Sequence, residues 1–354
     1  MKIIQVMPDF GLAGAETMVE NLACGLVEEG HDVLVISLYD LHTAITDRIE
    51  NKGIKIEYLG KKRGFDPSIV KKLQIIIKAY QPDVIHTHRY VLPYAFIASI
   101  GMSVKRVHTV HNIAQKEQTK IGKAINKVLF RYFKVVPVAL SEEVQKTIQQ
   151  VYEIPVYSIP VVFNGIDLSR CEAKESYIKK KLFKVLHIGR FMAVKNHTVL
   201  LRSFAKFAQQ HTDVRLELLG DGELREEMVR LAEELNLMEK VEFAGLQSNV
   251  YPWLHDADVF ILPSEFEGMP MTLIEAMGTA LPIIASDVGG IPDMLANKKE
   301  ALLIQPKEEC IIEALELLYN SEDKREYLGQ NALRKSVVFS AQTMARKYID
   351  IYMS

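Results

Sequence analysis

Short apolar runs and amphipathic stretches alternate along almost the whole chain. Runs such as Lys2-Ile-Ile-Gln-Val-Met and Phe183-Lys-Val-Leu-His-Ile are rich in β-branched residues and bounded by polar ones, as buried strands are. In the first half they predict strands at 2–7, 32–38, 54–59, 83–87, 105–110, 135–140 and 156–161. Between them, apolar residues recur at helical spacing near 14–29, 67–80, 91–100, 119–132 and 141–151. A polar stretch beginning Asn164-Gly-Ile-Asp then interrupts the pattern and reads as a linker over 164–182. The alternation restarts with a strand from Phe183, a helix at 196–210, a strand at 214–219, a helix at 223–235 and a strand at 240–243. A helix at 248–255, a strand at 258–262, a helix from Pro270 and a strand at 282–285 follow, and the remainder reads as mostly helical. Strands joined by crossover helices form parallel sheets, so the fold class is α/β with two Rossmann-like doubly wound domains. Ligands of such sheets sit beyond the carboxyl ends of the strands. The default site is therefore a cleft across which the two domains face each other.

Length agrees with two domains, because 354 residues exceed the size at which a single core keeps growing. Hydrophobic content of 48% with 25% charged residues is that of an ordinary globular protein, and no apolar run approaches a membrane span. The chain opens directly on a strand without a signal-peptide pattern, and Cys24, Cys171 and Cys310 are odd in number and far apart. Both features lead us to expect a cytoplasmic protein without a disulfide framework.

Charge changes the picture in one place. Residues 1–170 hold 21 lysines and arginines against 17 acidic residues, while residues 171–354 hold 22 against 28. Within 105–134, Lys105, Arg106, Lys116, Lys120, Lys123, Lys127, Arg131 and Lys134 face a single acid, Glu117. Ile121, Ile125, Val128, Leu129, Tyr132 and Phe133 are interleaved at helical spacing. Two readings stay open: a solvated helix whose apolar face is core, or a basic surface for an anionic membrane or a lipid-linked phosphate.

The most informative stretch is Pro263 to Pro282. Pro270 suits the first position of a helix, where its missing N–H is harmless. The free amides of that first turn, beside Gly268, make an anion seat. Glu267 and Glu275 flank it, and carboxylates beside a phosphate seat suit a ligand carrying hydroxyls as well. A wholly helical 267–275 would separate the two by about 12 Å, beyond the roughly 5–9.5 Å of a hydrolytic carboxylate pair. The pair therefore reads as contacting different parts of one elongated ligand, a sugar nucleotide.

Four other patterns bear on chemistry. Gly11-Leu-Ala-Gly14-Ala-Glu16, after the first strand, is either a plain tight turn or a close approach of backbone to a phosphate. His86 and His88 end a strand with no acidic or cysteine partner to complete a metal site, so a structural role or contact with an acceptor is expected. His108 and His111 end another, and a histidine there can hydrogen-bond a sugar hydroxyl. Gly189-Arg190-Phe-Met-Ala-Val-Lys195-Asn follows the first strand of the second half, with two cations suited to a diphosphate. His187, within that strand, reads as a core histidine.

These motifs resemble those of the retaining glycosyltransferases of family four, of GT-B fold, across nearly the whole chain. Glu267-Gly-Met-Pro…Glu275-Ala-Met resembles the family's Glu-Gly-Phe-Pro…Glu-Ala-Met-Ala-x-Gly-x-Pro, with Gly278 and Ala280 where the family has alanine and glycine. A left-handed cap at Gly278 and a slightly shorter helix are expected from that exchange. Gly14-Ala-Glu16, Gly-Arg190-x4-Lys195-Asn, Asn164-Gly-Ile-Asp (read as a turn at the hinge) and Gly289-Gly290 match family motifs, although Ala13 replaces a glycine. The resemblance implies domains of 1–165 and 166–339, with a last helix at 340–354 packing back on the first.

It also implies roles. The catalytic set is His111, Glu267, Arg190 and Lys195. The donor-binding set is Gly14, Arg190, Lys195, Gly245, Glu267, Gly268, Met269, Thr272, Leu273 and Glu275. Glu275 would hold the ribose, Glu267 the sugar hydroxyls, Arg190 and Lys195 the diphosphate, and His111 the sugar. The donor is a nucleotide-sugar, UDP first by family frequency, and the acceptor a glycan or lipid-linked hydroxyl in bacterial exopolysaccharide or capsule synthesis. No metal, other cofactor or nucleic acid is expected, and the expected location is cytoplasmic, with peripheral contact at the inner membrane face. A sugar-nucleotide epimerase or a phosphorylase sharing the architecture, and a non-catalytic nucleotide-sugar-binding subunit, are the alternatives.

Overall fold

The computed structural model of the protein describes residues 1–179 and 181–354. The chain divides into two compact units, Met1–Asp167 with Phe339–Ser354, and Leu168–Val338.

The first unit is built on β1 (Lys2–Met7), β2 (Asp32–Ser37), β3 (Lys55–Tyr58), β4 (Val84–His88), β5 (Lys105–Val110) and β6 (Val136–Ala139). All pair in parallel in the order β3-β2-β1-β4-β5-β6, so winding reverses between β1 and β4. One apolar cluster joins Ile4, Val6, Leu34 and Ile36 to Ile69, Leu73 and Ile77 of the helix Ser68–Tyr80. Another joins Val110 and Ala139 to Leu129 and Phe130 of the helix Lys120–Tyr132 and to Val144 and Ile148 of the helix Glu142–Tyr152. The C-terminal helix Ala341–Met353 belongs to this unit. It buries Tyr348 and Tyr352, and it meets the helix Gly14–Glu28 and the residue after it through Gln342 with Glu28 and Arg346 with Glu29.

Three expectations fail in this unit for identifiable reasons. Segment 156–161 is not a strand: Val156–Ser158 forms a 3-10 turn, and Val161 makes one isolated bridge to Ala139. Pro155 and Pro160 remove the amides a ladder would need there. A helix not expected, Ala44–Asn51, forms behind a capping box at Thr43 and buries Ile45 and Ile49 one turn apart. Asn164-Gly-Ile-Asp is extended rather than a turn, with Ile166 bridged to Ser340 and its carbonyl accepting from Ala341 N at 2.8 Å.

The second unit holds β7 (Phe183–Ile188), β8 (Val214–Leu219), β9 (Val241–Gly245), β10 (Val259–Leu262), β11 (Ile283–Ser286) and β12 (Leu302–Ile304). The parallel order β12-β11-β10-β7-β8-β9 reverses between β7 and β10. Phe183, Val185, Leu216 and Ile261 pack with Leu200, Phe204 and Phe207 of the helix His197–Gln210.

Two details of the Pro263–Pro282 stretch differ from expectation. Pro270 is the N-cap, with φ −73° and ψ 121°, and the helix is Met271–Gly278. Glu267 therefore lies in the preceding loop, and the rise of a continuous helix does not describe its separation from Glu275. The helix does end at Gly278, but the left-handed residue is Ala280, at φ 56°. Gly278 is needed for room instead, because a Cβ there would lie 2.6 Å from the Cys171 sulfur.

Candidate functional site

In the second unit, the loops after β7 and β10 are stitched together at the reversal of strand order. Glu265 N donates to the Val194 carbonyl at 2.8 Å, and Asn196 Nδ2 donates to the Pro263 carbonyl at 3.2 Å. Asn196 is itself left-handed, at φ 60°, and closes the 3-10 turn Ala193–Lys195 before the helix His197–Gln210. This turn delivers Lys195 to Glu267: Nζ lies 2.6 Å from Oε1, which also accepts from Ser264 Oγ at 2.6 Å. Behind the pair, the loop before Ile291 presses on the Glu267 backbone. Gly290 N donates to the Glu267 carbonyl at 2.9 Å, and Gly289, at φ 57°, has no room for a side chain. A Cβ on Gly289 would sit 1.9 Å from that carbonyl oxygen.

The remaining residues of the donor set spread around this point. Met269 and Glu275 are buried, Gly268 and Thr272 are half-buried at the entry of the helix, and no side chain caps its first turn. Leu273 is wholly buried and its amide donates to the Pro270 carbonyl, so its side chain is core. Gly245 ends β9 at φ 72°, and its carbonyl accepts from Gly220 N at 2.8 Å, which joins the ends of β8 and β9. Arg190 does not join Lys195: it is exposed and reaches toward Glu223, at 3.4 Å. His187 is fully buried in β7 with its ring nitrogen Nδ1 donating to the Ile261 carbonyl, and burial pushes it down to about 4.

In the first unit, the ends of β1, β4 and β5 supply the other group. Gly14 is the exposed first residue of its helix, while Glu16 is buried, held above its usual range by burial, and paired with Arg89 at 2.6 Å. Arg89 follows β4 in a left-handed conformation, φ 58°, and its carbonyl accepts from Gln118 Nε2. His111 follows β5 and is half-buried, with Nε2 3.0 Å from His88 Nδ1. Its backbone amide donates to Glu117 Oε1 at 3.0 Å. Burial, reinforced by His108 and Arg89, depresses His111 to about 3, and burial raises Glu117 to about 8. His111 is therefore neutral across the physiological range.

Sequence reasoning missed Ser264, Arg89, Glu117, Gln5, Tyr348 and Tyr352. The only available signal was polarity at positions predicted to be buried, as with Gln5 between apolar neighbours in β1. Among the described residues, no three His, Cys, Asp or Glu side chains are grouped to hold a metal ion, and no helix is long and apolar enough to cross a membrane. The basic helix Lys120–Tyr132 buries Leu129 and Phe130 but leaves Ile121 75% and Tyr132 70% exposed, so its apolar residues are only partly core.

The family described as Glycosyltransferase Family 4 matches residues 12–170, and the one described as Glycosyl transferases group 1 matches residues 170–335. An N-acetyl-alpha-D-glucosaminyl L-malate synthase of Bacillus anthracis is 28% identical over 81% of this chain and 79% of its own length. An Escherichia coli UDP-Gal:alpha-D-GlcNAc-diphosphoundecaprenol alpha-1,3-galactosyltransferase is 26% identical over 81% of this chain and 80% of its own. Among solved structures, Anabaena HepE in complex with UDP and glucose shares the fold, with a TM-score of 0.87 at 20% identity and 100% coverage of both chains. With two doubly wound units and family matches that run from residue 12 to residue 335, the chain belongs to the family-four glycosyltransferases, enzymes of the GT-B fold.

Proposed function

We propose that this glycosyltransferase moves a sugar, with retention at the anomeric carbon, from a UDP-sugar to a hydroxyl of a glycan or lipid-linked acceptor in bacterial surface polysaccharide synthesis. The observation that carries the reading is the Lys195–Glu267 contact where strand order reverses in the second unit. It pairs a phosphate-seeking cation with a hydroxyl-seeking carboxylate at the ligand end of a parallel sheet. Two similar proteins support the donor class: the Escherichia coli relative is named for UDP-Gal and a diphosphoundecaprenol-linked acceptor, and HepE was solved with UDP and glucose.

In this reading Lys195 and Arg190 stabilise the charge that develops on the departing diphosphate, aided by the helix entry at Gly268, Met269 and Thr272. Glu267 holds the sugar hydroxyls and Glu275 the ribose, while Gly245 lets the base approach backbone. Gly14 presents its amide to the donor phosphate or to the acceptor. His111 contacts the sugar and steadies its oxocarbenium-like transition state. The departing phosphate takes the acceptor's proton, so neither a carboxylate nucleophile nor a metal is required. A thermal-shift and hydrolysis screen across UDP-, GDP- and ADP-sugars tests the donor. UDP-sugars should stabilise the protein and be hydrolysed slowly in the absence of acceptor, and a preference for GDP or ADP would overturn the donor assignment.

The acceptor side extends to the membrane. The exposed apolar residues of the helix Lys120–Tyr132, flanked by Lys120, Lys123, Lys127 and Arg131, fit the interface of an anionic bilayer. Peripheral attachment to the inner face of the cell membrane would keep a lipid-linked acceptor within reach.

A further inference from the structure

A chain of buried hydrogen bonds in the first unit connects the C-terminal helix to His111. The Tyr352 hydroxyl lies 2.7 Å from His86 Nδ1 and 3.4 Å from Gln5 Nε2. Gln5 Oε1 lies 2.7 Å from His88 Nε2, and His88 Nδ1 lies 3.0 Å from His111 Nε2. A branch leaves His86 Nε2 for Thr109 Oγ1, at 2.8 Å, and continues to the Tyr348 hydroxyl at 2.7 Å. Gln5, His86 and His88 are completely buried, so each is held to the partners it has here. Burial keeps His86 and His88 well below the usual histidine range, and both rings are neutral.

With neutral rings, the orientation of the Gln5 amide decides where His88 and His111 carry their protons. The Gln5 carbonyl oxygen can only accept, so His88 carries its proton on Nε2. His88 Nδ1 then has a lone pair and no proton, and the group facing it must donate. That group is His111 Nε2, so His111 Nδ1 is left as a lone pair. We propose that Gln5, anchored by Tyr352, is a positioning residue that fixes His111 as the Nε2-protonated tautomer. Through Nδ1, His111 then accepts a hydrogen bond from a sugar hydroxyl, rather than donating one or acting as a cation. The helix Ala341–Met353 thereby sets the hydrogen-bonding state of a histidine at the far end of β5.

The inference rests on the reading that His111 contacts the sugar, and its test separates the two. Histidine-selective 15N labelling of the full chain with two-bond 1H–15N correlation reads the tautomer directly, with His111→Asn assigning the resonance. Wild-type His111 should be neutral with its proton on Nε2. In Gln5→Glu the carboxylate favours a doubly protonated His88, whose Nδ1–H then donates to His111 Nε2 and drives the His111 proton to Nδ1. That variant should lose about tenfold or more in kcat with little change in donor KM, the scale of one hydrogen bond made in the transition state. Tyr352→Phe, which keeps the ring and removes the hydroxyl, should lose less in the same direction. A wild-type proton on Nδ1, an unmoved tautomer in Gln5→Glu, or full activity with the tautomer reversed would overturn the proposal. Full activity of His111→Ala, with the tautomer as predicted, would refute the sugar contact and leave the relay standing.

Discussion

Lys195 Nζ and Glu267 Oε1 lie 2.6 Å apart, with side chains only 17% and 10% exposed. The lysine proposed for a diphosphate and the glutamate proposed for sugar hydroxyls are thus each other's partners. The contact couples the two residues energetically. Lys195→Ala should lose at least about a hundredfold in transfer, corresponding to roughly 3 kcal/mol of charge stabilisation. Adding Glu267→Gln to it should cost less than the two single losses combined, because the remaining partner no longer sits buried beside an absent charge. The kcat/KM values of the four proteins check this, and strictly additive losses would contradict the coupling.

Gly289 is the backbone counterpart of that pair. Its φ of 57°, and the 1.9 Å that would separate an added Cβ from the Glu267 carbonyl oxygen, leave alanine no unstrained position. Gly289→Ala should destabilise the second unit by at least about 2 kcal/mol and weaken donor binding with it. Urea unfolding reads the first effect and UDP titration the second. An unchanged midpoint would show that the loop yields easily.

The order of strands and crossover helices was readable from the alternation of apolar runs and helical spacing, because buried parallel strands are continuous in sequence. What escaped reading depends on contacts between distant residues. Gln5 and Tyr352 meet across 347 positions, and nothing local in either marks a relay. The Lys195–Glu267 contact was hidden in the same way, since the family resemblance implies a separate ligand contact for each residue and not a mutual pair. Local errors had local causes: Pro155 and Pro160 dissolve a strand that hydropathy alone supports, and Ala280 takes the left-handed position that Gly278 was expected to hold.

Buried histidines make the first unit sensitive to acid. His108 and His111 are depressed to about 3, and His86 and His88 are lowered as well, so folding favours the neutral rings. Stability from a depressed histidine is complete above its unfolded value near 6.5 and declines as pH falls from there toward 3. The melting temperature should drop progressively across that window, while transfer shows no step near pH 6.5 from His111. Circular dichroism melts and a pH–rate profile test both halves. A constant melting temperature between pH 6.5 and 4 would contradict the burial of neutral rings.

Glu117 gives the opposite slope. Burial raises it to about 8, and its Oε2 is buried with no hydrogen-bond partner among the described residues. The folded state holds this proton longer than the unfolded chain, so stability falls as pH climbs from about 4.5 through about 8. Glu117→Gln keeps an acceptor for the His111 amide and removes the ionisation. Its stability relative to wild type should therefore grow between pH 6 and pH 9, and a pH-independent difference would contradict the assignment.

The membrane surface is tested by flotation with anionic vesicles. Wild type should be retained at moderate salt, and Ile121→Glu combined with Tyr132→Glu should be released without loss of fold, because both side chains are largely exposed. Absence of wild-type retention would remove peripheral attachment from the account.

Retaining transfer from a UDP-sugar is written in the anomeric configuration of the product. The protein is incubated with UDP-α-hexoses without acceptor, and the released sugar is followed by 1H NMR before mutarotation. Release of UDP with the α anomer, lost in Lys195→Ala, is the predicted result. Release of the β anomer, or no turnover with any UDP-hexose, would contradict it.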